Sequence, residues 1–365
     1  MRINRSQLDR LRDRARQDVE AGLEHGGVEG CTFAIGHRGE VLWEEGFGAA
    51  RADTPILLLS ITKTVVEAAL WALFGKGLSP ETPVVEIIPE FMGGTQPGIT
   101  IAMIETHLGG FAWHRMDHAE MVDRASRLAA FSGWRLDRAP GFYEYNPVNG
   151  GWVLAEIIER VSGEDYRVFL RTRVLEPLGL AGVGGVSLGE PVSEQERVLL
   201  HRNYMSGYTP DPALRMPMAH GLDTRAGLAL GMPGAGGVGT AAGVARLYQA
   251  YLHNPSGLWD AGILADARDR VRVEAPDAAG RPMRRSLSFV HAGNANARYG
   301  ERTFFGPNVS DRAFGHQGQG GQIAWADPAT GLSFAYLTNT VVFPPGGCFH
   351  PRARTLSALA ANILA

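Results

Sequence analysis

A serine and a lysine three residues apart, Ser60 and Lys63, are the residues whose types and spacing most clearly suggest chemistry in this sequence. On a helix they would lie on the same face, one turn apart. A serine hydroxyl is a weak nucleophile until a neighbouring group accepts its proton, and burial disfavours the charged form of a lysine. The apolar residues at 56–59 and 65–66 predict a buried setting. The pair therefore indicates covalent catalysis through an acylated serine; the alternative is a helix cap followed by a surface lysine.

The elements around this pair predict a sheet built from both ends of the chain. Residues 31–36 and 40–48 are apolar runs around a short turn with a glycine, which is typical of a β-hairpin. Residues 321–326 and 332–339 predict two more strands, separated by a turn. Helical spacing is found at residues 6–25 with Ser6 as N-cap, at 60–77, at 151–161, after Thr240 and at 352–365.

This order of elements predicts an α/β (α+β) fold, an antiparallel β-sheet flanked by helices with an inserted, mostly helical domain. A chain of 365 residues suits one large domain or two that pack closely. We expect residues 1–70 and 235–365 to form the sheet domain and residues 71–234 to form the helical insertion.

Charge and composition argue against several classes of partner. The formal net charge of -3 and the pI of about 6.4 favour neither a nucleic acid nor a membrane. No apolar stretch reaches the roughly 18 residues of a membrane span, and no secretory signal is visible, so a cytoplasmic protein is expected. Cys31 and Cys348 are expected to be buried reduced thiols, with a bridge between the chain ends as the alternative. The sequence carries no prediction of oligomeric state.

The tetrapeptide Ser60-Ile61-Thr62-Lys63 has the S-x-x-K form, and further landmarks lie at residues 45–48, 99–110, 152–163 and 233–240. With these features the chain, from about residue 25 onward, resembles the serine β-lactamase and penicillin-binding-protein superfamily, in its class C-like branch of esterases. The resemblance implies an active site at the boundary between the sheet and the helical domain. It also implies a serine hydrolase that acts on a small-molecule ester or amide without a cofactor.

The family's second motif is a tyrosine that precedes the helix at residues 152–163. The resemblance implies that Tyr145 has this role, with its phenol hydrogen-bonded to Ser60 and Lys63 and passing a proton to the leaving group. Tyr143 is the alternative tyrosine. The family commonly has an asparagine two residues after the tyrosine, where this chain has proline, so Asn146 and Asn149 are the candidates for that amide.

The family's third motif is normally K-T-G, and here the sequence from His316 to Gly318 has the H-x-G form of esterase-like relatives. The resemblance implies an oxyanion hole made by the backbone N–H groups of Ser60 and Gln319. Gly318 would let the backbone approach the substrate closely, and His316 would line the site with a hydrogen bond to Tyr145 or to the substrate; a structural histidine is the alternative. A mostly neutral histidine binds a carboxylate less strongly than lysine does. Esters, neutral amides or lactones are therefore expected rather than β-lactams or peptides.

Other functions stay open at this point. An acyltransferase would use the same acyl-enzyme with an alcohol or amine in place of water, and a β-lactamase or DD-peptidase would use the same residues. A non-catalytic binding protein could also retain the fold, and its main support is the altered motif Tyr145-Asn146-Pro147. The spacing of His107, His114 and His118 could suggest a metal, but the chain has no H-E-x-x-H motif and no metal site is predicted.

Overall fold

The computed structural model describes residues 3–114, 116–191, 193, 221–277, 280, 282–293, 305–341 and 351–364. The strands are β1 (Gly30–His37), β2 (Glu40–Gly48), β3 (Ile56–Leu57), β4 (Val186–Leu188), β5 (Gly237–Gly239), β6 (Val273–Pro276), β7 (Pro282–Arg285), β8 (Val290–His291), β9 (Phe314–Gly318), β10 (Gln322–Asp327) and β11 (Leu332–Thr338). The α-helices are α1 (Arg5–Glu20), α2 (Thr62–Trp71), α3 (Val84–Ile87), α4 (Ile101–Glu105), α5 (His118–Val122), α6 (Arg124–Gly133), α7 (Asn149–Ser162), α8 (Tyr166–Leu170), α9 (Arg225–Leu230), α10 (Ala241–His253), α11 (Ala261–Asp269) and α12 (Pro351–Ala360).

The main sheet has eight antiparallel strands in the order β2-β1-β11-β10-β9-β8-β7-β6. The predicted hairpin of β1 and β2 is confirmed, and it turns through Arg38 and Gly39, which both have positive φ. Strands from the two ends of the chain meet where β1 pairs with β11. The predicted fold class, an antiparallel sheet flanked by helices, is confirmed.

Helices cover both faces of this sheet because the central strands are apolar on both sides. Phe33 and Ile35 of β1 pack in one cluster with Leu11 of α1 and Leu356 of α12. The intervening Ala34 points the opposite way and belongs to the cluster that contains α10 and α2. This alternation follows from the two-residue period of a strand.

Helix α1 differs from its prediction at both ends. It starts after Asn4, whose side-chain oxygen accepts the N–H of Gln7 at 3.3 Å, so Asn4 and not Ser6 is the N-cap. It ends at Glu20, because Gly22 takes a positive φ of 70° and breaks the helix before a short 3₁₀ turn, Leu23–His25. The predicted helices at residues 151–161 and after Thr240 are confirmed as α7 and α10.

A second, three-stranded sheet, β3-β5-β4, lies next to the start of α2. The helices α3 to α9 fall within residues 71–234, and the division of the chain at residues 70 and 234 stays a prediction. In the described ranges no helix is long and apolar enough to cross a membrane. Cys31 is a buried free thiol, whereas Cys348 lies outside the described residues.

Candidate active site

A strained turn presents Ser60 at the start of α2. Strand β3 pairs with β5, and the N–H of Leu58 donates to the carbonyl of Gly237 at 2.8 Å, which anchors the chain just before the turn. Leu59 then takes a positive φ of 49°, a conformation that costs a residue other than glycine of order 1–3 kcal/mol and is concentrated at functional sites. The serine itself lies in a 3₁₀ turn, Leu59–Ile61, and is partly exposed. The helix predicted at residues 60–77 therefore begins at Thr62 and ends at Trp71.

Lys63 lies in the first turn of α2 and is only 3% exposed. Its Nζ lies 3.4 Å from Ser60 Oγ, and it donates hydrogen bonds to the carbonyls of Pro147 at 3.0 Å and Gly234 at 2.8 Å. Only glycine fits at position 234, because a Cβ there would lie 2.5 Å from the Pro147 oxygen. Within the described residues no carboxylate lies at ion-pair distance from Nζ. The amine is thus buried among oxygen acceptors beside the serine.

Tyr145 is the tyrosine that faces the serine. Its Oη lies 3.0 Å from Ser60 Oγ, and Nζ of Lys63 lies 5.2 Å from the centre of its ring. Tyr143 instead is buried in the apolar cluster that also contains Phe33 and Ile35, and burial raises the pKa of its phenol to about 12. The structure therefore brings together Ser60, Lys63 and Tyr145, and it does not bring Tyr143 into this group.

The two candidate asparagines face the other way. The side-chain nitrogens of Asn146 and Asn149 donate to the carbonyl of Phe111, at 3.5 and 3.2 Å, and that of Asn149 also donates to the carbonyl of His114 at 2.8 Å. These hydrogen bonds connect the loop at residues 111–114 to the segment at residues 145–149, and neither asparagine bonds to Lys63. Lys63 instead donates a hydrogen bond to the backbone oxygen of Pro147, the residue at the position where the family pattern has asparagine.

The third motif lies against the residues that precede Ser60. Strand β9 ends at Gly318, where a Cβ would lie 2.9 Å from the carbonyl oxygen of Leu58, and Gln322 at the start of β10 donates from its side chain to the carbonyl of Leu57 at 3.0 Å. The turn between these strands starts with the partly exposed Gln319. The close approach at Gly318 explains why only glycine fits there.

His316 is buried on β9 and is 5% exposed. Its Nδ1 lies 2.7 Å from the carbonyl of Gln317, so Nδ1 donates a proton to that oxygen. Burial lowers the pKa of the imidazole well below its usual value, and the nearby Arg285 and Lys63 add to this effect. Its ring centre lies 6.4 Å from that of Tyr145, and no hydrogen bond joins the two side chains. The structure thus contains a neutral histidine beside the tyrosine.

Sequence analysis missed a group of buried charges behind the site. Glu67 lies one turn after Lys63 on α2, and burial raises the pKa of its carboxyl to about 7, although Ser288, Arg285 and Lys63 act in the opposite direction. Arg285 is 1% exposed and donates from Nη2 to the carbonyl of Ser288 at 3.1 Å. No pattern in the sequence connects residues 67 and 285.

The scarcity of lysine in the sequence is a signal that also points to Lys63. The chain has only two lysines, Lys63 and Lys76, among 35 basic residues of the Lys and Arg types, so 33 are arginines. Lys76 is exposed, whereas Lys63 is buried. Where a chain uses arginine almost everywhere, a buried lysine in an apolar stretch suggests a need for a group that can lose its proton, which arginine cannot do.

Comparison with known proteins places the chain in a family. Residues 15–359 match the family model described as Beta-lactamase. The chain belongs to this family. The esterase/beta-lactamase LipL of Mycobacterium tuberculosis is 28% identical over 314 residues, which are 80% of this chain and 71% of that protein. Esterase EstB of Burkholderia gladioli is 26% identical over 388 residues, which are 91% of this chain and 92% of that protein.

A solved structure, described as that of a family VIII carboxylesterase, has 25% sequence identity and a TM-score of 0.76 and covers 96% of this chain and 97% of its own. These findings confirm the predicted superfamily and its esterase-like branch. They also confirm that the chain is a serine hydrolase of this type.

Proposed function

We propose that the chain cleaves carboxylic ester bonds of small molecules through an acyl intermediate on Ser60. The observation that carries this proposal is the position of Ser60 Oγ, which is within hydrogen-bonding reach of both Tyr145 Oη and Lys63 Nζ. A nucleophile with its base at such distances is the arrangement that covalent catalysis requires. The partial exposure of Ser60 leaves its oxygen open to a substrate.

Three oxygen atoms surround Nζ of Lys63: the carbonyls of Pro147 and Gly234 and the hydroxyl of Ser60. Because a carbonyl can only accept, two N–H bonds of Lys63 point to the two carbonyls, and the remaining position on Nζ faces the hydroxyl. In the form of Lys63 that can act as a base, this position holds the lone pair. Lys63 therefore takes the proton of Ser60 as Oγ forms its bond to the ester carbonyl carbon.

Collapse of the tetrahedral intermediate then breaks the bond to the alcohol. The oxyanion accepts hydrogen bonds from the backbone N–H groups of Ser60 and Gln319, which are worth several kcal/mol in comparable sites. Tyr145 gives a proton to the departing alkoxide and regains it from Lys63, since both side chains lie next to the same serine oxygen. Water then attacks the acyl carbon and gives its proton to Lys63. The bond between Oγ and the acyl carbon breaks as the proton passes from Lys63, directly or through Tyr145, to Ser60 Oγ, and the acid leaves.

The neutral imidazole of His316 supports esters rather than β-lactams as substrates. A β-lactam carries a carboxylate, and a buried neutral imidazole offers that group no charge. Two of the relatives are described as esterases, and one of these two as an esterase/beta-lactamase, so β-lactam hydrolysis is the second candidate. Transfer of the acyl group to an alcohol would use the same intermediate. A cytoplasmic location remains part of the proposal.

The test is turnover of p-nitrophenyl butyrate and of nitrocefin, with product analysis in the presence of methanol to detect acyl transfer. The variant Ser60→Ala should lose ester turnover, while Ser132→Ala, at an exposed helical serine, should keep it. A fluorophosphonate should add to the wild-type protein once, on the peptide that contains Ser60. An active Ser60→Ala enzyme, or an adduct on another serine, would overturn the proposal.

A further inference from the structure

His107 contacts the chain on both sides of Tyr145. Its carbonyl accepts the N–H of Glu144 at 3.1 Å, and its Nδ1 accepts the N–H of Asn146 at 3.4 Å. Its ring packs edge-on against the ring of Tyr145, with 4.6 Å between the centres. One buried residue thus fixes the backbone before and after the tyrosine and also one edge of its side chain.

The hydrogen bond from Asn146 determines the tautomer of His107. A nitrogen that accepts an N–H carries no proton, so the proton of a neutral ring lies on Nε2. Burial lowers the pKa of this imidazole well below its usual value, and nearby cations add to the effect. The charged and titratable groups near the ring are Arg285, Lys63, His316, Glu144, Tyr143 and Tyr145.

The Nε2–H of His107 faces a protein interior in which the described residues give it no partner. His107 and Glu144 both line a cavity of about 10 Å³, and the Oε2 of Glu144 is likewise buried without a partner in that part of the chain. A cavity of about this size holds one water molecule when polar groups surround it. A water here would join the histidine and the glutamate.

The backbone of His107 is strained. Its φ is 62°, in the left-handed region that is uncommon for residues other than glycine, although histidine adopts it more often than most side chains do. Strain of this kind persists where the surrounding structure requires it, and it clusters at functional sites. The strain is an observation independent of the hydrogen bonds.

We propose that His107 is a positioning residue that fixes the phenol of Tyr145 against Ser60, and that it does so as a neutral imidazole with its proton on Nε2. The proposal rests on the proton-transfer role proposed above for Tyr145. A displacement of about 1 Å at a reacting group can cost a rate factor of about 10², so loosening this support should lower kcat while KM changes little.

The test compares two substitutions that both tolerate the positive φ. His107→Gly removes the ring and the acceptor, whereas His107→Asn retains an acceptor oxygen close to the position of Nδ1. We expect the glycine variant to lose about 100-fold in kcat and the asparagine variant to recover about tenfold of that loss. The exposed His118→Asn is the matched control and should behave as wild type.

A double-mutant cycle with Tyr145→Phe separates positioning from a structural role. In the wild type the loss of the hydroxyl should cost about 10²–10⁴-fold in kcat, and in His107→Gly it should cost less than about tenfold, because the phenol there is already misplaced. Losses that multiply, or a glycine variant with wild-type kcat, would overturn the proposal for His107 alone. A fully active Tyr145→Phe enzyme would overturn the proposed role of the tyrosine, and the positioning role with it.

Histidine-selective ¹⁵N NMR of the intact wild-type protein provides a test that does not depend on the folding of a variant. The signals of His107 are assigned by their absence in His107→Asn or, if that variant does not fold, by through-bond transfer from sequence-specific backbone resonances. We expect a protonated Nε2 and an unprotonated Nδ1 from pH 5.5 to 8. A proton on Nδ1, or a ring that becomes charged in this range, would refute the inference.

Discussion

Replacement of Lys63 can distinguish two roles of its side chain: accepting the proton of Ser60, and donating hydrogen bonds that hold two loops together. Arginine at this position would supply several N–H donors for the carbonyls of Pro147 and Gly234, but a guanidinium cannot give up its proton to become a base. Methionine would keep the length of the side chain and lose both functions. If Lys63 only ties two loops together, arginine should preserve part of the activity; if Lys63 accepts the proton of Ser60, both variants should fail.

The size of the effect follows from the three contacts of Nζ. Positioned proton transfer contributes about 10²–10⁴-fold to a rate, which is about 2.7–5.4 kcal/mol at about 1.36 kcal/mol for each factor of ten. Methionine also leaves two carbonyls without their donor, at about 1–3 kcal/mol each when buried, and this loss is partly offset because an amine no longer has to be buried. The Lys63→Met protein should therefore be less stable as well as inactive.

The assay combines steady-state ester hydrolysis with urea unfolding of each variant. Lys76→Met is a matched control, because Lys76 is the other lysine of the chain and is exposed. It should keep its activity and stay within about 0.5 kcal/mol of the wild-type free energy of unfolding. The reasoning would be refuted if folded Lys63→Arg or Lys63→Met hydrolysed the ester within about tenfold of the wild type while Ser60→Ala was inactive.

Three further predictions concern buried groups. Burial raises the pKa of Glu67 from 4.5 to about 7, so the stability this carboxyl contributes is complete below about pH 4.5 and is lost as the pH rises through 7. Glu67→Gln should lack that dependence and gain up to about 3 kcal/mol on the wild type between pH 5 and 8 in urea unfolding; parallel curves would contradict this. Leu59→Gly should be more stable than Leu59→Ala by about 1 kcal/mol, because glycine tolerates the positive φ, and the reverse order would remove the argument for strain. Burial raises the pKa of Cys31 to about 12, so in a Cys348→Ser background iodoacetamide should label it only after unfolding, and rapid labelling of the native protein would be inconsistent with its burial.

The parts of the fold that sequence analysis predicted well depend on local patterns. The β1–β2 hairpin and the β10–β11 pair follow from apolar runs around short turns, and α7 ends at a glycine with positive φ, as the Ser162-Gly163 pair predicts. The proximity of Ser60 and Lys63 is also local. It holds although the α-helix begins only at Thr62, because a spacing of three residues brings side chains together in a 3₁₀ turn as well as in an α-helix.

The contacts that complete the site are distant in sequence, and single-sequence patterns do not contain them. Nζ of Lys63 binds carbonyls 84 and 171 positions away, and backbone carbonyls are present at every residue, so no residue type marks them. Asn146 has the side-chain amide that the family motif normally supplies, but this amide does not face Lys63. The turn before α7 directs it toward the carbonyl of Phe111. Residue type limits which bonds a side chain can form, whereas its direction depends on how the two loops pack.

The proline in the second motif was the main support for a non-catalytic protein, and the structure removes that support. A side-chain amide can rotate to offer either an oxygen or an N–H, whereas the carbonyl of Pro147 can only accept. The same holds for the carbonyl of Gly234 on the other side of Nζ. Two fixed acceptors leave the lysine one direction for its remaining bond, and that direction leads to Ser60 Oγ. The departure from the family pattern therefore restricts the lysine to the orientation that the proposed proton transfer requires.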